Sequence, residues 1–383
     1  MSTQFTTAQC AIMGENALEN SAEKIAKIGS KALIITGKHI TKSGILAKLT
    51  AILEAKSVLY SVFNDITGEP TDEMIIEAVS AYKKEKCDFI IGIGGGSPLD
   101  SAKACAAMAV SDGKISDYAG KEITGDLPPL VLIPTTAGTG SEVTKFTVIT
   151  DTKTEVKMLL KGEVLLPALA ILDSSLSYSA PQKVTSATGI DALTHAVEAY
   201  TSKKATPVTD VFALSAIKRI FTYLPIAYKD GSDKKARSEM ALAAYEAGIC
   251  INNSSVTVVH GMSRPIGALF HVPHGFSNAM LIVNCLNYAL DGCYDRFATI
   301  ARHIGVASSE SSDKNAAEAF ITALKDLIKV VEIPSLQGYG IDMQKFATSI
   351  DKMATDALAS GSPSNTRKQL EKEDVVAIYN SLI

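Results

Sequence analysis

Six short β-rich runs separated by amphipathic helical periods occupy residues 32–173, and after about residue 180 the strand signal stops. The runs are ALIITG (32–37), SVLYSVF (57–63), CDFIIGIG (87–94), LVLIP (130–134), FTVIT (146–150) and LAILD (169–173). Helical periods at 45–55, 72–85 and 97–110 stand between them. A strand, a covering helix and a further strand in this rhythm predict a largely parallel sheet with helices on its faces. Residues 181–383 instead hold eight helical periods, at 184–201, 208–224, 234–251, 277–290, 294–304, 314–331, 343–359 and 373–382. The turn-rich segment 174–181 separates the two regimes, so the expectation is an α/β domain over 1–180 and an all-helical domain over 181–383.

At 383 residues with 46% apolar content, the chain can bury two cores. Its net charge is −4 with Lys and Arg scattered, which argues against nucleic acid and against an anionic membrane surface. No window approaches eighteen uninterrupted apolar residues, so no membrane span is expected. The first twenty residues lack a basic start followed by an apolar run, so no signal peptide is expected either. The six cysteines form no CxxC pair and suggest no disulfide framework; they read as reduced, in a cytoplasmic compartment.

Two glycine-bearing turns follow strand candidates. GGGSPLDSAK (94–103) comes directly after CDFIIGI. Gly94, Gly95 and Gly96 let the backbone approach a ligand and adopt positive φ. Ser97 reads as an N-cap, with Pro98 at the first helical position and Asp100 completing a near capping box. A glycine turn opening a helix is a natural anion site, because unpaired N–H groups and the helix dipole point at it. The bland reading is a tight strand-to-helix turn, but three glycines and a cap exceed what such a turn needs. The standard G-x-G-x-x-G fingerprint would need glycine at Ser97, and GxxxxGK[ST] does not occur. The second turn, TTAGTGSE (135–142), follows LVLIP and could hold the rest of a dinucleotide; alone it would read as a solvated loop.

The helical half concentrates the histidines. Three of the six (His260, His271, His274) fall within HGMSRPIGALFHVPHG, and a fourth, His195, stands four residues after Asp191 in GIDALTH. Positions i and i+4 share a helix face, so Asp191 and His195 can point at one spot. The fourteen residues from His260 to His274 fit a helix followed by a loop folding back. One carboxylate and two or three imidazoles suit a catalytic divalent transition metal. His39 and His303 have no partner pattern, and Glu198 and Tyr200 read as packing or exposed.

Taken together, GGGSPLDSAK, TTAGTGSEVT, KMLLKGEVLLPALAILD, ATGIDALTHAVEAY and VVHGMSRPIGALFHVPHG, in this order over nearly the full length, resemble the iron-containing (group III) alcohol dehydrogenases. These include lactaldehyde reductases and 1,3-propanediol dehydrogenases. The resemblance implies a dehydroquinate synthase-like fold, with an N-terminal dinucleotide-binding α/β domain and an all-α metal-binding domain. It implies a metal on Asp191, His195, His260 and His274, usually Fe2+ with Zn2+ not excluded, and a pyrophosphate on Gly94, Gly95, Gly96 and Ser97. Thr135, Thr136 and Thr139 would line NAD(H) or NADP(H), Lys157 would meet the ribose, and Asp100 matches a family position. A small aldehyde or primary alcohol would be the substrate, and relatives form dimers or larger homo-oligomers. Without the resemblance, Lys157 reads as a plain surface lysine. A lyase of the dehydroquinate synthase kind and a zinc-stabilised binding protein remain as alternatives.

Two departures bear on function. The family commonly has histidine four residues after the third ligand; here that position is Arg264. Arginine is permanently charged, so proton transfer would fall to His271 or water, and Arg264 could instead hold an anionic substrate group. The bland reading pairs Arg264 with a neighbouring carboxylate or with cofactor phosphates. NAD-selective relatives carry Asp at the end of the first strand, where this chain has Gly37 and then Lys38. Lys38 could attract a 2′-phosphate, so NADP(H) is expected to be accepted.

Overall fold

The computed structural model describes residues 3–154 and 156–383. The chain divides into two compact units, Met1–Ala180 and Pro181–Ile383. In the first unit the strands are β1 (Ala11–Met13), β2 (Lys31–Ile35), β3 (Leu59–Phe63), β4 (Phe89–Gly94), β5 (Leu130–Pro134), β6 (Phe146–Asp151), β7 (Val156–Lys161) and β8 (Leu169–Leu172). Six of them form one sheet in the order β1-β8-β5-β4-β2-β3, with every neighbouring pair parallel.

Both faces of this sheet are covered, which is why its strands read as continuous apolar runs. Phe89, Ile91 and Ile93 of β4 join Ala32, Ile34, Val131 and Ile133 in one core, while Ile90 points the other way among Leu33, Ile35, Leu130 and Leu132. Gly92 permits a close approach: a Cβ there would lie 2.8 Å from the Ala102 Cβ on the helix Gly96–Val110. The chain runs outward from β2 to β3, crosses back to β4, and continues through β5 to β8. Its direction reverses between β2 and β4, the kind of switch point where open α/β sheets bind ligands beyond the strands' carboxyl ends.

The run FTVIT differs from its expected place. It forms β6, which pairs antiparallel with β7 in a separate two-stranded sheet. Asp151 accepts from the backbone N–H groups of Lys153 (2.8 Å) and Thr154 (3.1 Å), stabilising the turn between them. The sequence reading lacked β7 because only one face of VKMLLK is buried, and it lacked β1 because three residues carry no period.

The second unit is helical. Its helix Gln182–Thr201 is buried at every position from Ile190 to Thr201, so it is central to that unit. The helices Pro207–Lys229 and Lys234–Ser254 pack on it. Pro207–Lys229 is long and apolar enough, by length and composition, to cross a membrane, a test that core helices of globular units also pass. Ala213, Ile217, Ile220 and Leu224 on this helix are buried within the unit. A further helix, Val258–Phe270, was absent from the sequence reading as a helical period, although Pro265 lies within it. The turn His271–Pro273 then leads into the helix His274–Ala289.

Candidate active site

Three helices of the second unit bring the expected ligands together. Asp191 and His195 lie one turn apart on Gln182–Thr201, His260 is the third residue of Val258–Phe270, and His274 opens His274–Ala289. Gly275 lets the last helix seat closely, since a Cβ there would come within 2.9 Å of the Ala187 carbonyl oxygen. One ligand atom from each of the four residues lies within 4.8 Å of all the others. Asp191 Oδ1 stands 3.9, 3.7 and 3.9 Å from Nε2 of His195, His260 and His274. Ligands about 2.1 Å from a tetrahedral ion are about 3.4 Å apart, so this frame fits a first-row divalent cation after a small contraction. The side chains of Asp191, His195 and His260 are buried, whereas that of His274 is 39% exposed, which leaves one side of the frame accessible.

Electrostatics favour the ionised carboxylate. Burial alone would raise the Asp191 carboxyl, but the three imidazoles and the Asn278 amide hold it below its ordinary value. Two residues that the sequence reading did not assign complete the frame. Glu198, expected to be packing or exposed, is fully buried. Its Oε2 lies 2.5 Å from His260 Nδ1, and its Oε1 accepts from Thr257 Oγ1 (2.7 Å) and the Val259 N–H (2.6 Å). A proton held on Nδ1 by this carboxylate leaves the His260 Nε2 lone pair for a metal, an arrangement that fixes tautomer and ring orientation. Asn278 Nδ2 lies 2.6 Å from Asp191 Oδ1, 3.0 Å from His260 Nε2 and 3.1 Å from His274 Nε2. The helical spacings Asp191–His195–Glu198 and His274–Asn278 were visible signals for both residues. Replacing Glu198 by Gln is expected to weaken divalent-ion affinity roughly tenfold to a hundredfold, read by competition with a chromogenic chelator. An unchanged affinity would remove Glu198 from the metal site.

His271 does not join this cluster. It caps the helix Val258–Phe270 in the left-handed region (φ 53°), with its side chain exposed. Arg264, one turn beyond His260, is partly buried.

In the first unit, the candidate cofactor residues stand at the carboxyl ends of the adjacent strands β2, β4 and β5. Gly37 and Lys38 follow β2, Gly94 ends β4 with Gly95–Ser97 following it, and Thr135, Thr136 and Thr139 follow β5. Gly94 has φ 147°, and the Thr135 N–H donates to its carbonyl at 2.8 Å. A Cβ on Gly95 would sit 3.6 Å from Thr136 Oγ1, and one on Gly96 would sit 2.9 Å from Thr139 Cγ2. A side chain at Gly96 would therefore crowd the second turn, whereas one at Gly95 would make only ordinary contact with it. The capping expectation is corrected: the N-cap is Gly95 with no side-chain cap, and Ser97 lies inside the first turn. Leaving that turn uncapped keeps its N–H groups available to an anion. Asp100 instead accepts from Ser141 Oγ (2.6 Å) and the Val148 N–H (2.9 Å), joining the helix to the second turn and to β6.

Lys157 lies on β7 and is ion-paired with Glu69, so it is neither free nor a plain surface lysine. Lys38 is paired at 3.4 Å with Asp65, both side chains being exposed. A carboxylate thus stands beside Gly37 after all, contributed by the segment that follows β3.

Comparison with known proteins decides the family. Residues 9–174 match the family described as iron-containing alcohol dehydrogenase, and residues 185–383 match the Fe-containing alcohol dehydrogenase family, C-terminal. The chain belongs to the iron-containing alcohol dehydrogenases. This dehydrogenase is 39% identical over 366 residues to the 1,3-propanediol dehydrogenase of Citrobacter freundii, covering 94% of each chain. It is 36% identical to the NAD-dependent methanol dehydrogenase of Bacillus methanolicus over 383 residues, 100% of both. A crystal structure of a 1,3-propanediol oxidoreductase superposes with a TM-score of 0.96 at 35% identity, covering 100% of both chains. The dehydrogenase is accordingly an oxidoreductase acting on alcohol and aldehyde pairs.

Proposed function

We propose that this dehydrogenase interconverts a small aldehyde and its primary alcohol using NAD(H) or NADP(H), with Fe2+ as the resident ion and Zn2+ able to replace it. The observation that carries this reading is the convergence of Asp191, His195, His260 and His274 within 4.8 Å. An ion held there supplies Lewis acidity toward the substrate oxygen. The dinucleotide supplies the hydride, and the uncapped turn Gly94–Ser97 with Thr135, Thr136 and Thr139 binds and orients it. Glu198 holds the proton on His260 Nδ1 throughout. Arg264 keeps its own proton near neutral pH, so the proton reaching the reduced substrate passes through solvent-exposed His271 or through water.

Asp65 sets the cofactor ratio in this reading, because a 2′-phosphate must displace its carboxylate from Lys38. The free thiols are consistent with a reducing cytoplasmic compartment. A homodimer or larger homo-oligomer is supported by edge strand β3, which leaves Leu59 65% and Val62 40% exposed.

The test is a panel of aldehydes with NADH and NADPH, on enzyme reconstituted with ferrous iron or zinc. Stoichiometric oxidation of the reduced cofactor supports the reading. Metal-dependent turnover that regenerates the dinucleotide would point instead to lyase chemistry, and metal binding without turnover to a binding protein. In the same assay, Asp65→Asn is expected to raise the NADPH-to-NADH ratio of kcat/KM several-fold, since a freed Lys38 can meet a phosphate.

A further inference from the structure

We propose that Arg264 is a substrate-anchoring residue and that the preferred aldehydes carry an acidic oxyanion group, a carboxylate, sulfonate or phosphonate, a few bonds from the carbonyl. This rests on the metal-site reading above and names the substrate class of that site.

Arg264 stands apart from the other arginines in the chain. Arg219 pairs with Glu239 and Glu246, Arg296 with Asp210 and Arg302 with Asp313, while Arg237 donates to Thr185 and to the Gly231 carbonyl. Arg367 is exposed to solvent. Among the described arginines, Arg264 alone is partly buried with no hydrogen bond and no ion pair.

The nearby carboxylates are committed elsewhere. Both Glu198 oxygens are taken by His260, Thr257 and Val259, and Asp191 Oδ1 accepts from Asn278. Glu198 therefore reaches Arg264 only through its field. A guanidinium removed from water without a partner is costly, and its planar fork matches a bidentate oxyanion. Arg264 follows His260 by four residues in one helix, so both side chains leave the same face about 6 Å apart along the axis. The anchor is therefore about one helical turn from a metal ligand, a separation suited to a short aldehyde bearing its acid group at the far end. The bland pairing with a neighbouring carboxylate does not occur.

Cofactor phosphate offers the same oxyanion chemistry, so the test separates the two sources. With the metal-loaded enzyme, kcat/KM for sulfoacetaldehyde and succinic semialdehyde is expected to exceed that for propanal and butanal by about tenfold to a hundredfold. Betaine aldehyde, a cationic probe of similar size, is expected to be the poorest. Arg264→Gln should collapse the anionic-to-neutral ratio toward one, acting through aldehyde KM, and Arg264→Lys should restore part of it. Calorimetry on the wild-type holoenzyme gives a readout independent of turnover: isethionate and 4-hydroxybutyrate should bind at least tenfold more tightly than butanol. Equal handling of charged and neutral compounds by the wild type would overturn the proposal. So would an Arg264→Gln enzyme whose NADH or NADPH KM rises while its aldehyde preference persists. Failure to turn over any aldehyde would count against the dehydrogenase reading, while the calorimetric ratio would still decide the role of Arg264.

Discussion

Asp191→Asn is expected to strip the enzyme of its divalent ion and to lower kcat/KM on the order of a thousandfold. Asp191 is the only anionic member of the four-residue frame, and its Oδ1 is 3.7–3.9 Å from all three imidazole Nε2 atoms. An amide keeps the shape but loses the charge, so three neutral imidazoles would remain to hold a cation in a buried setting. Lewis-acid polarisation contributes several kcal/mol to such reactions, and about 1.4 kcal/mol corresponds to a factor of ten in rate. Metal content after dialysis, measured by elemental analysis, should fall with activity while cooperative unfolding persists. If the variant retained one tightly held ion per chain, Asp191 would not be a ligand. Prolonged chelation of the wild type should reproduce the same loss, with recovery on adding ferrous iron.

Lys103→Met is expected to cost the first unit about 3–5 kcal/mol of stability, because it breaks a buried ionic cluster by removing one partner. Lys103 is fully buried on the helix that follows the glycine turn. Its Nζ donates to the Thr144 carbonyl (2.7 Å), the Phe146 carbonyl (2.8 Å) and Thr144 Oγ1 (3.1 Å). Asp100 and Glu142 supply the opposing charge. Burial draws the Lys103 pKa down to about 8 and pushes that of Glu142 up to about 7.

The signs give the pH dependence. A folded-state pKa below the unfolded value means that Lys103 contributes stability above pH 10.5 and that this is lost as pH falls through about 8. Glu142, raised from 4.5, contributes below that value, and its contribution is lost as pH rises through about 7. Without Lys103 the Glu142 carboxylate must ionise with no cation beside it. The deficit of the variant should therefore widen between pH 5 and pH 8. Urea denaturation at both values measures it, and a constant offset would mean that the lysine acts by packing alone.

Sequence and structure diverged where a role depends on distant elements meeting. Strands β2, β4, β5 and β8 were legible because a sheet covered on both faces requires uninterrupted apolar runs. The pairing of Asp191 with His195 was legible because one helix places them on one face. Glu198 and Asn278 carried the same helical spacing, yet a glutamate and an asparagine within apolar stretches look ordinary until the helices bearing His260 and His274 close around them. Ser97 was misjudged as a cap because a serine before Pro98 satisfies local rules, whereas the helix starts two residues earlier than that cap implies, at Gly96. FTVIT had the composition of a sheet strand, and nothing local indicated that its partner would be the half-exposed VKMLLK. Lys38 looked like a free cation because Asp65 lies far from it in sequence.

The buried pair Glu198–His260 also bears on oxidation state. With Asp191 ionised as well, two carboxylates stand at this site, and their combined charge matches that of a divalent cation. A triply charged ion there would leave a surplus positive charge in surroundings that screen it poorly. The site is thereby matched to a divalent rather than a trivalent ion, and enzyme loaded with ferrous iron should lose activity on exposure to air.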